Sequence, residues 1–210
     1  MAEIKIGRMV AGGFSTNSYL IYREGSKEAF FVDPAENGEQ IFLKLRELGF
    51  EIKAILLTHA HFDHILGASE LRRASGAKMY ALEEERPLCE SAQLNVSEMI
   101  GRPCTVKPNY YVKDGEEIRA AGITCKVIAT PGHTAGCCCY YFEEAGILVC
   151  GDTIFQESVG RTDLPTGSAG QLVRSIKEKI FTLPEETQLY PGHGDSTTVG
   201  HEKKYNPFCQ

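Results

Sequence analysis

The chain has 210 residues, with 22 Lys and Arg against 28 Asp and Glu and a formal net charge of −6. That balance opposes nucleic-acid binding, which needs clustered cations to neutralise phosphates. No apolar run approaches the roughly 20 residues that span a bilayer, and MAEIKIGRMVAGG at the start lacks the continuous apolar core of a signal peptide, so a cytoplasmic protein with no membrane partner is expected.

The length fits one domain over residues 1–210, because no linker, repeat or low-complexity stretch divides the chain. NSYLIYRE at 17–24 and EAFFVDPA at 28–35 are β-rich runs joined at Gly25-Ser26, and they predict an antiparallel pair that begins a sheet. Ile41, Phe42, Leu45 and Leu48 stand at helical spacing within 38–48, ahead of Gly49. The next apolar run, 52–57, predicts a strand. A short helix is expected around 83–92. That helix opens the least regular stretch, 83–111, which fits an ordinary connection as well as a cover over a site, and no residue in it receives a role. Around 123–150, ITCKVIATPGH, GCCCYYF and GILVCGD read as three strands. Ser168 with Gln171 matches a capping box before a helix whose apolar stripe is Leu172, Ile176 and Ile180, ahead of Pro184.

Eight cysteines include the run Cys137-Cys138-Cys139. Neighbours on a strand point to opposite faces and no Cys-x-x-Cys pair occurs, so the thiols read as small buried hydrophobes rather than a metal cage.

The segment THAHFDH at 58–64 places three histidines and an aspartate in seven residues, directly after the strand ending Ile55-Leu56-Leu57. Neutral imidazole and carboxylate suit Zn²⁺, Mn²⁺ or Fe²⁺. His59 and His61 lie two apart, so extended backbone sends both to one face, while Asp63 and His64 fall where the chain turns toward a second position. Two further histidines, His133 and His193, each follow Pro-Gly, and Asp152 follows the strand 147–150. Each alone reads as a turn residue; together, five of the six histidines and two aspartates match two metal shells.

This pattern, HxHxDH followed by separated His, Asp and His, resembles that of the metallo-β-lactamase-fold hydrolases over nearly the whole chain. The resemblance implies an α/β fold, an αββα sandwich of mixed sheets with helices on the outer faces and the site at one edge. It implies one metal held by His59, His61 and His133, a second by Asp63, His64 and His193, and Asp152 bridging them. The cofactors implied are two divalent ions, zinc foremost, with iron or manganese also accepted. Asp63 takes a catalytic role, orienting a metal-activated hydroxide and receiving its proton.

Asp152 and the stretch Ser158–Pro165, with its GRTD element, resemble the small glyoxalase II-like branch. That branch implies a small-molecule thioester substrate such as S-lactoylglutathione, with lactones or other esters as a broader class. The same element resembles persulfide dioxygenases, whose single iron uses a subset of these ligands. The chain stops at Gln210, so the extra helical domain of dedicated glyoxalase II enzymes is expected to be lacking. Arg161 and Asp163 are expected to pair and fix their loop, and His201, Lys203 and Lys204 to form a solvated charged tail.

Overall fold

The structure is a computed structural model and describes residues 2–209. Its first sheet follows chain order: β1 (Ile4–Ala11), β2 (Thr16–Arg23), β3 (Glu28–Val32), β4 (Glu51–Leu56), β5 (Lys78–Leu82) and β6 (Tyr110–Val112). β1 to β3 pair antiparallel and β3 to β6 parallel. Parallel neighbours need crossovers, supplied by α1 (Gly38–Glu47), by α2 (Phe62–Ile65) with α3 (Ala68–Ser75), and by the stretch containing α4 (Arg86–Cys89). The expected strand pair and the helix at 38–48 are present. The sheet nevertheless begins one strand earlier, because β1 is a half-exposed edge and IKIGRMVA carries no clean apolar alternation.

The second sheet contains β7 (Glu117–Ala120), β8 (Ile123–Ala129), β9 (Cys138–Phe142) and β10 (Ile147–Gly151). A small hairpin follows, β11 (Ile154–Phe155) and β12 (Ser158–Val159), then α5 (Ala169–Ser175), β13 (Gln188–Pro191), β14 (Thr197–Thr198) and α6 (Val199–Tyr205). The strand order is β14-β13-β10-β9-β8-β7, with β10 and β13 parallel and the other pairs antiparallel. β8, β10 and β13 therefore run in one direction, and their C-terminal ends share one edge.

Side-chain alternation divides the core into three layers. Ala54 and Leu56 of β4 meet Tyr140, Phe142 and Val149 between the sheets. Ile55, Leu57 and Met79 face α1 and α3 on the outer side of the first sheet. Leu148 and Cys150 face Leu172, Ile176 and Ile180 of the helix beginning at α5. The cysteine run obeys the same rule, with Cys138 between the sheets and Cys139 on the outer face. All eight thiols are free, and seven are buried. Among the described residues no helix is long and apolar enough to cross a membrane.

Three local expectations change. Ser168 precedes α5, but its side chain makes no capping bond; its N–H instead donates to the Gly132 carbonyl (2.7 Å), tying the helix to the turn that carries His133. The helix around 83–92 is only a single 3₁₀ turn followed by α4, with Pro87 in the first turn of α4. The charged tail is helix α6, docked through buried Val199 and Glu202. Glu202 accepts hydrogen bonds from the Thr197 hydroxyl (2.6 Å) and the Glu157 N–H (2.9 Å), Asn206 donates to the Ser158 carbonyl (3.0 Å), and His201 bonds to Glu157 (3.0 Å). These contacts hold the β11–β12 hairpin against α6.

α1 and α3 pack closely where Gly38 faces Gly67, just after α2. A Cβ at residue 38 would lie 1.9 Å from the Gly67 carbonyl oxygen and 2.6 Å from the Leu71 nitrogen. Both obstacles are backbone, so Gly38→Ala is expected to destabilise the fold by about 3 kcal/mol. Urea unfolding checks this; an unchanged midpoint would mean that the helices separate at little cost.

Candidate metal centre

The strand ends place all seven sequence-predicted residues at one edge of the sandwich. β4 leads into Thr58 and the turn with His59 and His61, and α2 carries Asp63 and His64. His133 lies on the loop after β8, Asp152 directly follows β10, and His193 follows β13. Potential ligand atoms fall into three overlapping groups: His59 with His61 and His133; His59 with His64 and Asp152; Asp63 with His64 and His193.

Bonds behind the rings fix which nitrogens face inward. His133 Nδ1 lies 2.8 Å from the Arg161 carbonyl, so it carries the proton and leaves Nε2 as an acceptor. The Thr58 hydroxyl donates to Asp33 Oδ2 (2.6 Å) and so accepts from His59 Nδ1 (3.1 Å), which frees His59 Nε2 in the same way. His133 Nε2 nevertheless lies 3.2 Å from His59 Nε2 and 2.9 Å from His61 Nδ1. Between His59 and His133 two lone pairs are thereby aimed at one another, and at this range they repel unless a cation sits between them.

The second group makes the same demand with opposite charge. His64 Nδ1 is held by Asp33 Oδ2 (2.9 Å), while its Nε2 lies 3.4 Å from Asp152 Oδ1 in a contact that satisfies neither buried atom. His193 Nε2 lies 3.2 Å from Asp63 Oδ2, which also accepts the Thr16 hydroxyl (3.0 Å). Buried orphan atoms of complementary ligand type, converging on one place, fit divalent metal ions.

Protonation follows the same geometry. Burial drives His59 well below the usual imidazole range, pushes His61 down to about 3 and lowers His133, keeping all three rings neutral for ligation. Burial works against charge on His64 as well, but Asp63, Asp152 and Asp33 outweigh it and raise its pKa. Burial similarly opposes the charged form of Asp152, yet the surrounding imidazoles, His64 foremost, hold its carboxyl below the usual range. The carboxylates thus call for positive charge.

Several supporting residues escaped the sequence reading. Asp33, after the buried strand β3, accepts the Thr58 N–H (2.8 Å) as well as Thr58 Oγ1 and orients ligands of both groups; its φ of 50° is a strained left-handed conformation for a non-glycine residue. An Asp-Pro step ending an apolar strand was the available signal. Asn17 clamps the His193 turn, donating from its side chain to the carbonyls of Pro191 and Gly194 (both 2.9 Å) and from its backbone to Gly192 (2.7 Å). Gly192 is itself required, since a Cβ there would lie 2.1 Å from Asp152 Oδ1. Glu85, in a segment given no role, is fully buried and bonded to two of the ligand loops.

A cavity of about 440 Å³ opens over the cluster, walled on its apolar side by Phe14, Phe62, Phe155, Val159 and Leu164. Arg161 also lines it and forms a two-pronged pair with Asp163 (2.7 Å each), the loop-fixing contact expected from sequence. From the irregular segment, Ile100 and Arg102 reach a neighbouring cavity that shares Phe14 and Asp63.

The chain belongs to the metallo-beta-lactamase superfamily, whose family pattern it matches over residues 11–193. It is 37% identical to the probable metallo-hydrolase YqgX of Bacillus subtilis, over 98% of this chain and 97% of that protein. It is 30% identical to the hydroxyacylglutathione hydrolase GloC of Haemophilus influenzae, over 93% of each. Among solved structures it superposes on the B3 metallo-beta-lactamase BLEG-1 with a TM-score of 0.93 and 37% identity, covering 98% of this chain and all of that one. For TTHA1623 in a di-iron-bound form the TM-score is 0.85 at 33% identity, covering 96% and 99%.

If the groups are separate subsites sharing Asp152, metal-free protein is expected to take up two equivalents of Zn²⁺, and His193→Ala only one at the same free concentration. Elemental analysis after gel filtration measures this, and two retained equivalents in the variant would remove His193 from the ligand set.

Proposed function

We propose that this protein is a thioester hydrolase, with S-lactoylglutathione or a similar hydroxyacyl thioester as substrate. What carries the reading is the absence, among the described residues lining the cavity, of an ionisable proton donor outside the cluster. The one other charged group is Arg161, a permanent cation already paired with Asp163. A leaving group must then depart without a proton from such a donor, which a thiolate does readily and an alkoxide or amine does not. The likeness to GloC supports the same reading.

His59, His61 and His133 would hold one ion, Asp63, His64 and His193 the other, and Asp152 both. Divalent ions bound there supply Lewis acidity and make water nucleophilic near neutral pH. The remaining work falls to the chain. Thr16 fixes one oxygen of Asp63, so that this carboxylate orients the attacking water and receives its proton. The aromatic and aliphatic wall excludes solvent from the reacting carbonyl, and the cavity volume suits a small-molecule substrate.

A second reading, opening of a β-lactam ring, draws on the 37% identity to BLEG-1. Its leaving group is a nitrogen, which departs more readily with a proton, and among the described residues the lining offers none for it except the one that Asp63 takes from water.

Metal-loaded protein is expected to hydrolyse S-lactoylglutathione with kcat/KM well above that for β-lactams, simple lactones and oxygen esters. Asp63→Ala is expected to lower kcat by about 100-fold or more, as loss of a general base does. Metal content is measured on the same samples. Full metal occupancy with turnover only of β-lactams would overturn the thioester assignment, and unchanged turnover in the variant would overturn the role of Asp63.

A further inference from the structure

Glu85 is fully buried, on the 3₁₀ turn between β5 and α4, and it forms no ion pair among the described residues. One carboxylate oxygen, Oε1, accepts the Ala60 N–H (2.7 Å), between His59 and His61 in the chain. The other, Oε2, accepts the Thr134 hydroxyl (2.9 Å) and the Gly136 N–H (3.0 Å), on the loop that carries His133. The three hydrogen bonds therefore join the two loops that supply the His59–His61–His133 group. The loops also press on its backbone, for a Cβ at residue 136 would lie 2.1 Å from the Glu85 nitrogen.

A buried carboxylate without a cation is a costly way to brace two loops. Burial pushes the Glu85 carboxyl up to about 7 even against the opposing pull of its three hydrogen bonds. Its distinguishing property is acceptor capacity on both oxygens. A glutamine has one accepting oxygen and an NH₂ group, so it must turn a donor toward either the Ala60 N–H or the Gly136 N–H, releasing one loop. Alanine would release both.

We propose that Glu85 is a positioning residue for the metal centre: it fixes the separation of the His59–His61 turn and the His133 loop so that three imidazole nitrogens close on one cation. The proposal rests on the metal-binding reading of the cluster and is independent of the substrate.

The test compares the wild type with Glu85→Gln and Glu202→Gln, using Zn²⁺ and Co²⁺ as probes. Glu202 is an equally buried carboxylate that accepts a backbone N–H, a threonine hydroxyl and the Asn206 amide, and it bonds neither the His59–His61 turn nor the His133 loop. Competition with a chromophoric chelator measures Zn²⁺ affinity, and the visible spectrum of the Co²⁺ form reports ligand geometry. Glu85→Gln is expected to weaken Zn²⁺ binding by about 10- to 100-fold, as loss of an outer partner of a ligand does, and to alter the Co²⁺ bands. Glu202→Gln is expected to retain wild-type affinity and spectrum. Wild-type affinity and spectrum in folded Glu85→Gln would overturn the proposal, as would equal losses in both variants. Should Glu85→Gln fail to fold, Thr134→Val removes one of the three bonds at constant shape. A few-fold weakening there supports the role, and unchanged binding refutes it. Failure of the wild type to bind either ion would instead refute the metal-binding reading itself.

Discussion

Five imidazoles and two carboxylates are compressed into one edge of the sandwich, most of them buried, with several of their nitrogen and oxygen atoms facing one another. His133 Nε2 stands within 3.2 Å of nitrogens from two other rings, and Asp152 Oδ1 and His64 Nε2 are buried without hydrogen-bond partners. Such a cluster stores electrostatic strain unless a cation completes it. Much of the surrounding architecture answers that problem. Parallel-running strand ends deliver the ligands, Asp33 and the Arg161 carbonyl set the ring tautomers, and Asn17 locks the turn at His193. The central strands β4, β9 and β10 beneath are largely buried on both faces, so their ends have little freedom to relax.

How much of this was legible in the sequence depended on the range of the contact. THAHFDH is local: the candidate donors, their spacing and the preceding strand lie within ten residues, and the structure brings His59 and His61 beside His133, and Asp63 and His64 beside His193. The Pro-Gly-His turns and Asp152 became legible only in combination, through the family resemblance. β8 and the helix at 38–48 followed from apolar periodicity, because each buries one face, while β9 and β10 followed from continuous apolar runs, because both of their faces are buried.

What could not be read lies at long range or depends on geometry without a residue signature. Glu85 stands third in a run of three glutamates, and nothing local separates it from the two exposed ones before it. Its partners are 25 to 51 residues away. The bond from His133 ends on the backbone of Arg161, where side-chain identity carries no information. β1 escaped notice because an edge strand with mixed exposure needs no strict alternation. The apparent capping box failed for a related reason: the Ser168 N–H was already committed to Gly132, a tertiary contact that overrides a local motif.

The attachment of α6 to the β11–β12 hairpin links a helix outside the cavity to one of its walls. Phe155, Ser158 and Val159 of that hairpin line the cavity, Glu202 and Asn206 hold it from α6, and it is flanked in the chain by Asp152 and by Arg161, whose carbonyl bonds His133. A substitution in α6 would therefore reach the cavity wall through the hairpin, and through Arg161 the ring of His133 as well. The shape of the cavity and the orientation of the His133 imidazole are thus coupled through one short hairpin instead of being set independently.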